Sequence, residues 1–125
     1  QFMKHILLIK NIQENVKPYN KINNKIIWYI NNKTNNTNRV FFPNRIDYII
    51  IFYNEYNDNL KDLMRMKKQY DNMYMNNNKG NLILYCYIRD IEIKNAALLY
   101  YINSTFDIKI ITNKNTFDKF INDLQ

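Results

Sequence analysis

Glycine, cysteine, histidine and tryptophan each occur once in this 125-residue chain, and proline twice. Each scarcity closes off a class of chemistry. With Gly80 as the single glycine, neither a P-loop nor a glycine-rich dinucleotide loop can be built. One cysteine, Cys86, rules out a disulfide framework and a zinc–thiolate site. Lying in an apolar run, Cys86 reads as a small buried hydrophobe, with a reactive thiol as the alternative. One histidine, His5, removes His-based triads and multi-histidine metal centres. No apolar run approaches the roughly 18 residues that span a membrane, and residues 6–9 are too short for a signal-peptide core. The expectation is a soluble, cytoplasmic protein with no membrane contact, no cofactor and no metal. Gln1 is not a natural start, so residues ahead of it are expected.

What is abundant is Asn, Lys, Ile, Tyr, Phe and Met. These residues have AT-rich codons, which suggests an AT-rich genome such as a virus, plasmid or organelle. Residues 1–46 hold eight basic side chains against Glu14 alone, and so carry the chain's whole net charge of +7. The remainder balances ten against ten. A cationic half beside a neutral one favours an anionic partner, DNA or RNA. The candidate nucleic-acid contacts are Lys17, Lys21, Lys25, Lys33, Arg39 and Arg45. Trp28, Tyr29 and Phe41 lie among them, the mixture that phosphate contact and base stacking require. The alternative is that Trp28 and Phe41 point into the core and the cations are an ordinary solvated surface.

Length fits one domain, residues 1–125, with 1–24 as a candidate N-terminal extension or arm. The run NLILYCYI, residues 81–88, is almost wholly apolar and rich in β-formers. It reads as a strand buried on both faces at the centre of a sheet. Residues 3–12 are a strand or a short helix, and 13–25, with Pro18, a loop or extended arm. KIIWYI (25–30) and RVFF (39–42, stopped by Pro43) predict an antiparallel hairpin around the polar tip NNKTNNTN. Residues 46–53 are a strand, or a helix starting near Pro43.

Leu60, Leu63, Met64, Tyr70, Met73 and Tyr74 recur at helical spacing behind an Asp58 or Asn59 cap. Asp90 caps a second helix, to about residue 103, that buries Ile93, Ala97, Leu98, Tyr101 and Ile102. Residues 107–112 are a strand. Asn115 then caps a last helix with Phe117, Phe120, Ile121 and Leu124 on one face and Asp118 completing a capping box. The fold class is therefore α/β: a single domain with a mixed, mostly parallel sheet, an antiparallel basic hairpin and flanking helices.

One carboxylate pattern points to an enzyme. Asp47 with Glu92-Ile93-Lys94 mimics the Asp…Glu-x-Lys set that holds Mg²⁺ in metal-dependent nucleases. A Glu-x-Lys pair does this from a strand, whereas here it follows Asp90 and suits the first turn of a helix. The chain is read as non-catalytic.

Residues 26–44, IIWYINNKTNNTNRVFFPN, resemble the jaw-domain hairpin of the fifth subunit of eukaryotic-type multisubunit RNA polymerases. An apolar strand, a polar loop and a return ending in Phe-Phe-Pro mark that hairpin, matched by Val40-Phe41-Phe42-Pro43. The order helix, strand, helix, strand over residues 60–112 agrees, and residues 45–59 stand as an insertion. The resemblance implies a reduced jaw subunit of a divergent viral or plasmid polymerase. Such a subunit binds a large polymerase chain and works in transcription without catalysing it. The other readings are a free-standing nucleic-acid-binding protein, a ribosomal protein and the nuclease.

Overall fold

Residues 6–9 and 49–51 are the driest part of the chain, each side chain being at most 2% exposed. Two apolar, largely β-branched runs of this kind are stable only as neighbouring strands covered on both faces. The computed structural model describes residues 3–12, 17, 19–32, 45–73, 81–114 and 116–124. Among these, six strands form one sheet: β1 (Lys4–Lys10), β2 (Tyr19–Ile22), β3 (Lys25–Asn31), β4 (Tyr48–Asn54), β5 (Asn81–Tyr87) and β6 (Ile108–Thr112). The helices are α1 (Leu60–Met73), α2 (Ala96–Thr105) and α3 (Phe117–Asp123).

The sheet order is β2-β3-β1-β4-β5-β6. Every neighbouring pair is parallel except β2–β3. This is the mixed, mostly parallel α/β domain that the sequence predicts. The chain moves one way from β1 to β3 and then returns past β1 to β4, so its direction reverses between β1 and β4. That reversal is the hallmark of a doubly wound sheet.

The helices divide between the faces. Leu63, Met66 and Tyr70 of α1 and Leu98 and Ile102 of α2 pack with Leu7, Ile9, Ile49, Ile51, Leu84 and Cys86. Ile121 of α3 packs on the other face with Ile6, Leu8, Ile27, Ile50, Ile83 and Tyr85. There Tyr85 meets the Phe117 ring edge-on at 5.0 Å and stacks on Phe52 at 5.2 Å. A capping box closes the start of α1: Asp62 N donates to Asn59 Oδ1, and Asn59 N donates to Asp62 Oδ2.

Several sequence expectations are corrected. Residues 81–88 are buried on both faces as expected, but β5 lies one strand in from the edge, and the centre belongs to β1 and β4. Residues 19–22, read as loop or arm, form β2. An antiparallel hairpin is formed by β2–β3, turning at Asn23-Asn24. Asn23 sits at φ 53, a left-handed conformation that asparagine tolerates well. Residues 25–28 have β1 on one side and β2 on the other, so neither edge is left for a second partner. Residues 33–44, with the expected return strand, lie outside the described residues. The second helix starts at Ala96 with Asn95 as its cap, and Asp90 accepts instead from Glu92 N. Thr116 occupies the cap position of α3, and Asn115 lies outside the described residues. Met64 is exposed and Met66 takes its place in the core.

Two tests follow from this core. Leu84→Ala removes a fully buried side chain, and we expect a loss of about 2–5 kcal/mol, measured as a lower urea midpoint. Burial pushes the Cys86 thiol from 9.0 up to about 12, and burial with nearby acidic groups pushes Tyr53 from 10.0 up to about 12. The native state therefore keeps protons that the unfolded chain sheds. Stability should be intact below pH 9 and decline as pH rises from 9 towards 12, with Cys86 inert to thiol reagents until the chain unfolds. Alkaline melts and timed thiol labelling check both.

Candidate functional site

Alternation along a strand decides which cations meet solvent. On β3, Lys25 shares a face with Ile27 and Tyr29, the face packed under α3. Lys25 is only 4% exposed, and its Nζ donates to the Asn122 carbonyl oxygen at 3.0 Å. That carbonyl belongs to the last turn of α3, where a cation favours the helix dipole and satisfies an open acceptor. Lys25 is thus a helix-terminating contact, and its ammonium is withdrawn from any phosphate.

The opposite face of β3 presents Trp28. Tyr19 of β2 pairs with it across the antiparallel ladder, with ring centroids 5.4 Å apart. On the other side His5 of β1 lies near-parallel to Trp28 at 6.3 Å, and Trp28 Nε1 donates to His5 Nδ1 at 3.2 Å. As an acceptor, Nδ1 carries no proton. Three rings therefore run across three adjacent strands, and Tyr19 at the outer end is 53% exposed. Lys21, two residues on from Tyr19, shares that face and is exposed.

Arg45 is exposed beside the amino end of β1. Its Nε lies 3.2 Å from Asp47 Oδ1, while Asp47 Oδ2 accepts from His5 N at 2.9 Å. Lys17 is exposed just before β2. Lys33 and Arg39 lie outside the described residues, as does Phe41. The structure thus brings Lys21 and Arg45 to the two sides of the aromatic row and withdraws Lys25 from it. Residues 3–12 and 19–32 contain no carboxylate side chain.

The carboxyl ends of the strands offer a contrasting surface. Asn11 Nδ2 donates to Asp58 Oδ1, Asn32 Nδ2 donates to Asn11 Oδ1, and Asn54 N donates to Asp58 Oδ2. This network fills the crevice at the chain reversal. One atom in it, the buried Asn32 Oδ1, lacks a hydrogen-bond partner among the described residues. A cavity of about 140 Å³ lies between Glu55, the 88–94 loop and the start of α2. Glu55, Asp90 and Glu92 outnumber Lys94 in its lining, which disfavours phosphate in the cavity.

The Asp47…Glu-x-Lys pattern comes apart. Asp47 precedes β4 and Glu92 follows β5, two strands that run parallel and in register. They sit at opposite ends of the sheet, about 20 Å apart at a strand's rise per residue. No group of three or more His, Cys, Asp or Glu that could hold a metal occurs among the described residues. No helix among them is long and apolar enough to cross a membrane.

No family model, curated protein or solved structure matches the chain.

Sequence reasoning missed Tyr19 and His5. The signal for Tyr19 was the Asn23-Asn24 pair between Ile22 and Lys25, which marks a two-residue hairpin loop and so a strand before it. For Lys25, we expect Lys25→Met to cost about 1–3 kcal/mol of stability through the lost charged hydrogen bond. Nucleic-acid affinity should be unchanged. Thermal melts and a binding titration on the same variant separate the two effects.

Proposed function

We propose that this chain is a non-catalytic, nucleic-acid-binding small subunit of a cytoplasmic nucleoprotein assembly. The observation that carries the proposal is the aromatic row Tyr19–Trp28–His5 with the exposed cations Lys21 and Arg45 around it. Cations fix a phosphate backbone and rings offer a surface to bases, and this face supplies both. Asp47, at the amino end of β4, is already engaged by Arg45 and by the His5 amide. The assembly we propose is a transcription complex, a divergent multisubunit RNA polymerase whose large chain is the protein partner. That part rests on the resemblance of residues 26–44 to the jaw hairpin.

Fluorescence anisotropy with labelled oligonucleotides at increasing salt tests the binding. Affinity should fall linearly on a log–log plot. The double substitution Lys21→Glu, Arg45→Glu should weaken binding at least roughly tenfold and flatten the slope by about 1.5. Lys119→Glu, exposed on α3 over the opposite face, should change little. Salt-independent binding, or equal effects of both changes, would refute the interface. Native purification of the tagged chain tests the assembly: a stoichiometric polymerase large subunit supports it, and recovery of the chain alone rules it out.

A further inference from the structure

We infer that the ligand of the β1–β3–β2 face is a single strand whose bases stack on Tyr19, beside Trp28, and not a duplex. The inference rests on the nucleic-acid reading above and names which form of nucleic acid the face accepts. The argument begins with how the rings are held. Trp28 is only partly buried, fixed by its Nε1 hydrogen bond to His5 and by contact with the α1 side of the core. Tyr19 leans on Trp28 at 44° between ring planes and remains more than half exposed. Tyr19 thus presents exposed ring surface beside Trp28 to a planar group.

A base in a duplex has its π-faces covered by its neighbours in the stack, so an aromatic ring lying flat on a sheet cannot reach them. Unstacked bases of a single strand can be splayed onto such rings, and every base has a π-face to offer. Reading a duplex requires an element that enters a groove. Among the described residues β2 is a four-residue edge strand that lies in the sheet and projects nothing. A short, flat platform with rings on it fits splayed bases.

The cations fit the same geometry. Lys21 follows Tyr19 by two residues on one face, about 7 Å along the strand. That spacing lets one nucleotide place its base on Tyr19 while an adjacent phosphate meets the Lys21 ammonium. Arg45 stands at the far side of the row, beside the amino end of β1. The backbone is thereby given two cationic supports with the rings between them.

Trp28 is the chain's one tryptophan, so its emission reports on this site alone. The test titrates the full chain with an oligothymidylate and an oligouridylate of roughly ten nucleotides, and with a mixed-sequence duplex of equal length. Quenching of Trp28 emission by the single strands, with the duplex weaker and silent, is expected. Tyr19→Ala should then lower single-strand affinity roughly tenfold with the salt slope unchanged, because a stacking contact releases no counterion. Tyr19→Phe should restore affinity, and Tyr19→Leu, which keeps an apolar contact with Trp28, should not. These two variants separate stacking from folding. Tight duplex binding with unaltered Trp28 emission would overturn the single-strand inference and leave the nucleic-acid reading standing. No binding of either form would overturn both.

Discussion

The parallel pairing of β1 with β4 is the constraint on which the rest of the chain depends. Ile6–Ile9 faces Tyr48–Ile51 across this ladder, and nearly every side chain in it is sealed from water on one face or the other. Two strands buried on both sides cannot be joined by a tight turn, because their ends lie at opposite edges of the sheet. The intervening chain must leave, form something, and return. Here it forms β2 and β3 on the far side of β1, and the strands that follow β4, β5 and β6, are added on the other side. Ends as well as middles are pinned. Asp47 accepts from the His5 amide at the amino end, and the Asn32–Asn11–Asp58 chain ties the carboxyl end.

This order also explains why the charge of the molecule is lopsided in space. Residues 1–46 hold a single acidic side chain against eight basic ones, and the topology sets the strands of that part, β1 to β3, together on one side of β4. Acidic residues of the 88–94 loop and of the loop after β4 gather at the carboxyl ends of β4 and β5. Segregation along the chain thus becomes segregation across the surface. The crevice at the chain reversal, where doubly wound sheets often take ligands, is filled here by amide and carboxylate groups bonded to one another. The polar groups of that edge mostly serve each other, whereas the β2 end leaves a ring and cations turned to solvent.

Element types were legible in the sequence where side-chain pattern reports a local environment. NLILYCYI and DIKIIT show strands through β-branched and aromatic content, IDYIIIFY favours a strand with a helix as the alternative, and Phe117–Phe120–Ile121 show the inner face of α3. Strand order was not legible, because nothing local distinguishes a strand at the centre from one beside it. Hence β5 was taken for the middle, and β1, whose period is ambiguous, turned out to hold that place. YNKI is too short and too polar to reveal periodicity, and its neighbour in the fold is specified by the turn after it. Met64 and Met66 differ by two positions, enough to swap core for solvent on a helix, and composition cannot set that phase. Lys25 is the instructive error at the site. A count of charges treats it like Lys21, whereas alternation along KIIWYI already put it on the face of Ile27 and Tyr29.

Glycine scarcity then bears directly on how this protein can hold an anion. Backbone nests and phosphate-cradling loops need residues that turn through conformations glycine reaches at no cost. The described residues contain one non-glycine at positive φ, Asn23, and the hairpin turn uses it. In the proposed interface phosphate is met by side chains, and a side chain needs a rigid base if its charge is to be in place beforehand. A strand within a sheet supplies that base at every second residue on a given face. Tyr19 and Lys21 occupy two consecutive such positions on β2, with Trp28 braced by His5 beside them. In this structure that face, at the β2 end, is where rings and cations come together.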